Sequence, residues 1–160
     1  MSAPRAKNPP TILQRAVAML ARREHSRDEL ARKLARYLGE GDDAAGIDAA
    51  LDQLEAKGML SDARFAAALV RSRGERFGTA RVAQELRQHG VDQEVARRAV
   101  DALKQTELDR ARAVWRRKFG TVARNEAERA RQVRFLTARG FRADVILRIV
   151  KGGTDADERG

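Results

Sequence analysis

Two glycine turns, two histidines and several arginine clusters are the places where this 160-residue chain has residue types and spacing that could do chemistry. Gly39-Glu40-Gly41-Asp42-Asp43-Ala44 has the loose spacing of a dinucleotide-binding turn. Gly78-Thr79 opens a short basic helix within RFGTARVAQELRQHGV, Arg76 to Val91. A phosphate-cradling loop needs a strand leading in and a helix leading out, because backbone amides at that helix start hold the phosphate. The first turn follows a helical pattern, and its three carboxylates, Glu40, Asp42 and Asp43, repel a pyrophosphate. The second has no lysine after its glycine, so neither reads as a nucleotide site. His25 and His89 stand far apart, each near a helix end, and the chain has no cysteine for a thiolate site or a disulfide. No local Ser, His and carboxylate spacing marks a nucleophile. The expectation is a protein that is not an enzyme and needs no cofactor and no metal.

Binding is what remains, and the charge distribution speaks to it. The formal net charge is +10. Residues 1–60 hold ten basic against nine acidic residues, 61–105 nine against six, and 106–160 fourteen against eight. A positive field that grows toward the C-terminus favours a polyanionic partner, because each cation placed on a phosphate releases condensed counterions. The candidate contacts are Arg73, Arg76, Arg81 and Arg87 around the quoted helix, then Arg116, Arg117 and Lys118. Arg131 and Arg134 follow, with Arg129 and Arg139 spaced to share faces of one helix. Acids interleave these bases throughout, so solvated helix faces are the competing reading. Trp115 beside Arg116 is either a base-stacking platform or, by its spacing with Leu108 and Ala111, a core residue; the spacing favours core.

The elements that must position these residues are helices. Charged residues make up 35% and aromatics 4% of the chain, and no alternating apolar run is long enough for a strand. Residues 1–10 hold all three prolines and read as a disordered basic arm. Thr11 and Gln14 have capping-box spacing, as do Ser26 and Glu29, and Ser61, Asp92 and Thr106 are further candidate caps. Gly39, Gly58, Gly90, Gly120 and Gly140 are candidate stops. This predicts nine helices in three groups of three: 11–58, 59–105 and 106–152, with 153–160 a disordered tail. Leu34, Leu86 and Leu136 anchor the middle helices at intervals of 52 and 50 residues. Arg81, Leu86, Gly90 and Val91 repeat at identical spacing as Arg131, Leu136, Gly140 and Phe141. The fold class expected is therefore all-α, an elongated modular array of three tandem three-helix repeats. The longest apolar run, Phe65 to Val70, is too short to span a bilayer, and a cytoplasmic protein is expected.

FGTARVAQELRQHGV resembles the most recognisable stretch of the RecX family of recombinase regulators: an aromatic-glycine pair, a basic residue, then a helix ending in glycine and an aliphatic residue. Leu51 to Arg73 and Arg131 to Gly152 are similar to two further family segments, and the resemblance covers roughly Ala16 to Gly152. It implies an all-helical protein of three-helix units, without catalytic activity. Such a protein binds the RecA nucleoprotein filament and restrains its growth, ATP hydrolysis and strand exchange, within recombination, DNA repair and the SOS response. Carried over by residue, Phe77 and Gly78 match the aromatic-glycine pair, Arg81 the basic position, Leu86 the anchor and Gly90 the stop. The implied partners are the RecA filament and, weakly and with salt dependence, single- and double-stranded DNA; a monomer with no membrane association is expected. The alternative is a helix-turn-helix over Val82 to Val100 acting on DNA directly, although its reading helix would open on Asp92-Gln93-Glu94.

Overall fold

The computed structural model describes residues 8–39 and 41–152. Most of the expected N-terminal arm, Glu40, and the expected C-terminal tail lie outside the described residues. Among those described, every regular element is an α-helix, eight in all: α1 (Ile12–Arg22), α2 (Arg27–Ala35), α3 (Ala44–Ala56), α4 (Asp62–Arg73), α5 (Thr79–Gln88), α6 (Gln93–Lys118), α7 (Glu126–Ala138) and α8 (Ala143–Val150). None is long and apolar enough to cross a membrane. The chain divides into two compact units, 1–65 and 66–160.

The first unit is built on α1, α2 and α3. Thr11 caps α1 in a full capping box with Gln14, Ser26 Oγ accepts from the Glu29 amide at 3.1 Å to start α2, and Asp43 accepts from the Gly46 amide to start α3. These caps satisfy amides that a helix start leaves without partners. The apolar stripes converge on Ala16, Leu30, Leu34, Ile47, Leu51 and Leu54, all buried. Gly39 does not stop α2 as expected: the helix ends at Ala35 in a tightened turn, with the Tyr37 amide on the Leu34 carbonyl.

In the second unit α6 is the spine. The expected helix start at Thr106 is overturned, and so is the count of nine, because α6 runs unbroken for 26 residues. No glycine or proline interrupts it. The Thr106 hydroxyl, rather than accepting from a following amide, donates to the Leu103 carbonyl one turn back, a bond a mid-helix threonine can make without ending the helix. α5 packs on α6 and buries Val82 and Leu86, while α7 and α8 pack on α6 around Val114, Leu136, Phe141 and Ile146.

α3, α5 and α7 stop alike. At Leu86 to Val91 the Val91 amide bonds the Leu86 carbonyl and the Gly90 amide that of Arg87; Leu136 to Phe141 repeats both bonds, and Leu54 to Met59 does so again. Each is a Schellman ending with a left-handed glycine at its turn. The echo between the two sequence stretches is thus an echo of geometry.

Candidate nucleic-acid interface

The aromatic-glycine pair sits where two such stretches meet. The Gly78 amide donates to the Arg139 carbonyl at 2.7 Å and the Ala80 amide to the Gly140 carbonyl at 3.3 Å, so the start of α5 is docked on the end of α7. The approach is backbone to backbone. A Cβ on Gly78 would overlap the Gly140 carbonyl, and one on Gly140, whose φ is +87°, would come within 2.6 Å of the Arg81 Cβ. Only glycine fits at either position.

Two charged residues of α6 hold the same junction from beneath. Arg110 donates to the Gly74 and Phe77 carbonyls at 2.9 and 2.8 Å, and to the Leu103 carbonyl at 2.9 Å. It also reaches the hydroxyls of Thr79 and Thr106. Burial lowers its pKa from the ordinary value while neighbouring Glu107 raises it, and a guanidinium stays protonated through shifts of this kind. Glu107 itself is buried, and its Oε1 accepts from the amides of Thr79 at 3.3 Å and Arg142 at 3.2 Å. Neither Gly78 nor Arg142 supplies a side-chain cap to its own helix. The Glu107 carboxylate therefore stands at the positive ends of α5 and α8 together.

The loop and helix ends fixed in this way carry the cations. Arg76, Arg117, Lys118 and Arg139 line a cleft of about 300 Å³ with Val114 and Phe135. Arg81 lies over the Phe77 ring at 4.0 Å, with Arg76 and Arg139 both 5.4 Å from the same centroid. Arg139 is also 5.0 Å from the Phe135 centroid, and Lys118 is 5.5 Å from it. Among the described residues no carboxylate pairs with any of these five cations. Arg117 donates to the Glu75 backbone carbonyl, and Arg81 points at that of Ala138 from 3.5 Å, too long to hold it. Lys118 also borders a second cleft with Arg124 and Arg131, where Glu128 is the one carboxylate of the lining among the described residues.

Of the residues expected from sequence, the structure gathers Arg76, Arg117 and Lys118 at this cleft, sets Arg81 on the Phe77 ring that Arg76 also approaches, and puts Arg131 beside the cleft. Arg73 is engaged elsewhere, its Nε 3.0 Å from Glu85 in a pair that ties α4 to α5. Arg87, Arg116 and Arg134 are exposed but line neither cleft. Arg129 pairs with Glu126. Trp115 packs against the core of the second unit and donates to Gln132 at 3.0 Å, so it is a core residue.

Sequence comparison returns the same family that the aromatic-glycine motif resembles. Residues 61–100 match "RecX, second three-helix domain" and residues 105–150 match "RecX, third three-helix domain". A regulatory protein RecX from Leptothrix cholodnii is 51% identical over 137 residues, covering 86% of this chain and 85% of its own. The chain belongs to the RecX family. The RecX regulatory protein of Chromobacterium violaceum is 47% identical over 147 residues, 92% of this chain and 93% of that one. The crystal structure of RecX from Lactobacillus salivarius superposes with a TM-score of 0.74 at 16% identity, covering 88% of this chain and 92% of that one. At that identity the RecX structure speaks to the helical fold alone. A regulatory role follows from the family, as does the all-helical repeat architecture.

Proposed function

We propose that this RecX-family chain restrains the RecA recombinase by binding its nucleoprotein filament, with the basic face of the second unit laid against DNA backbone. The observation that carries the reading is the cleft against Phe135, where Arg76, Arg117, Lys118 and Arg139 converge without a carboxylate to neutralise them, with Arg81 close by on the Phe77 ring. Like charges gathered on a surface cost self-repulsion, which a bound polyanion relieves. The relatives' names support a regulatory role over a catalytic one. We take the chain as three repeats, 11–58, 59–105 and 106–152, acting as a monomer in the cytoplasm. Modules joined in one chain add weak contacts along a repeating partner through effective concentration. Bound so, the protein limits filament growth, ATP hydrolysis and strand exchange.

Direct reading of duplex sequence by α6 is the weaker account. Asp92 caps that helix, and Glu94 is taken up by Arg97 and Arg98, so the end that would enter a groove presents carboxylates. The deciding experiment measures DNA-dependent ATP hydrolysis by RecA with this protein present well below one copy per recombinase subunit. Suppression is expected. No suppression, together with tight binding to one duplex sequence, would transfer the function to the helix-turn-helix reading.

A further inference from the structure

Phenylalanines set among arginines invite the idea of a base-stacking platform, and the geometry argues against it. A nucleobase needs an open ring face. Phe77 is only partly exposed and is approached within about 6 Å, the reach of a cation–π contact, by Arg76, Arg81 and Arg139 at once. Phe135 is approached by Arg139 and Lys118, and the Phe119 ring stands against it nearly perpendicular, 5.4 Å between centroids. Arg139 touches both rings, so four cations, Arg76, Arg81, Arg139 and Lys118, form one connected cluster with the two phenylalanines, and Arg117 lines the cleft beside them.

Resting on the interface proposed above, we infer that Phe77 and Phe135 are positioning residues for the cations, and that the cleft takes the phosphodiester backbone of a nucleic-acid strand without stacking its bases. The negative faces of the rings offset the repulsion among the guanidinium groups and restrict their rotamers before any ligand arrives. The backbone bonds of Arg110 to the Gly74 and Phe77 carbonyls fix the loop that carries Phe77, and the Gly78–Gly140 crossing fixes Arg139 opposite it. A strand held in this way is recognised by its charge alone. Binding is therefore indifferent to base identity and to the presence of bases.

The test compares the full chain binding a thymidine oligonucleotide with its binding an abasic strand carrying the same number of phosphates. The two affinities are expected to agree within about twofold, since charge sets both. An abasic strand bound roughly tenfold or more weakly would overturn the inference, because that is the scale of base–aromatic stacking. Phe77→Leu is expected to weaken both strands alike and Phe77→Tyr to restore them; weakening confined to the thymidine strand is the contrary result. Arg117→Glu with Lys118→Glu separates the two claims. If that pair leaves both affinities unchanged, the interface itself fails and this inference with it. If the pair abolishes binding while the abasic strand binds poorly, only the positioning role fails.

Discussion

The two units of this chain differ in where their basic side chains find partners. In the first, Arg23 and Lys33 share Glu29, Arg27 reaches Asp48, Asp52 and Glu55, and Arg64 pairs with Glu24. Bases here fasten α2 to α3 and to the turn before α2. In the second, Arg73, Arg97, Arg98, Arg129 and Arg142 are paired with carboxylates too, but Arg76, Arg81, Arg117, Lys118 and Arg139 lean on rings or backbone carbonyls, and their charge is left for something outside. Abundance of arginine is therefore a poor guide to a binding face; what separates the two units is where the carboxylates fall. Variants of both units put that contrast to the test.

The largest effect belongs to the glycine crossing. Gly78→Ala is expected to destabilise the second unit by about 3 kcal/mol or more, since the new methyl overlaps backbone that has no room to yield. Gly46→Ala, inside α3, meets only the Asp43 side chain at 3.5 Å and is expected to be neutral or to stabilise by about 0.5 kcal/mol. Urea unfolding followed by helical circular dichroism compares the two. Equal effects would mean the crossing is not tight.

Next comes acid. Burial works to raise the Glu29 pKa, but the hydrogen bond and charge of Arg23, with help from His25 and Lys33, hold it down at about 2 against an ordinary 4.5. A folded pKa below the unfolded one gives stability that is whole above pH 4.5 and disappears as pH falls toward 2. Discounted for solvent screening of the half-exposed Arg23, the contribution is about 2 kcal/mol, and Glu29→Gln should flatten the acid limb of the stability curve between those values. An unchanged limb would show that the pair is solvated. Buried His25 works in the same direction at higher pH: its ring bonds the Arg23 carbonyl and Lys33, and its pKa is lowered mainly by burial.

The smallest effect concerns Trp115. Trp115→Phe removes the hydrogen bond to Gln132 and should cost about 1 kcal/mol of stability while leaving strand affinity unchanged. A drop in affinity at full stability would instead make it a nucleic-acid contact.

How far the sequence foretells this follows from how local each feature is. Caps and stops are local, so Thr11 with Gln14, Asp92 and Gly140 are legible from spacing alone. Thr106 misleads because a threonine before Glu-Leu carries the same signal whether its hydroxyl caps a new helix or bonds back into an old one. Gly39 misleads in a similar way: it follows the apolar stripe of α2, but its amide bonds Asp42 in the next turn. Arg110 and Glu107 are invisible in the sequence, being two charges among many on a polar helix, and only the folded packing buries Glu107 beneath α5 and α8 and half-buries Arg110 beside it. Arg110 holds the carbonyl that precedes Gly78 from 33 residues away, a separation no short motif spans. The ring-and-cation cluster is half legible. Its arginines stand out as clusters, but Phe135 and the joining role of Arg139 emerge only when α6 and α7 are laid side by side.

The cations of the second unit's cleft, which no carboxylate pairs, are expected to hold nucleic-acid phosphates. The measurement is the salt dependence of single-strand binding for the native chain, for Arg117→Glu with Lys118→Glu, and for Arg32→Glu in the first unit, where Arg32 already pairs with Asp28. Each phosphate that is no longer neutralised lowers the slope of log affinity against log salt by about 0.7 for a single strand. The double variant is expected to lower it by about 1.4 and to bind at least roughly tenfold more weakly, with Arg32→Glu close to native. Equal slopes in all three proteins would contradict the account.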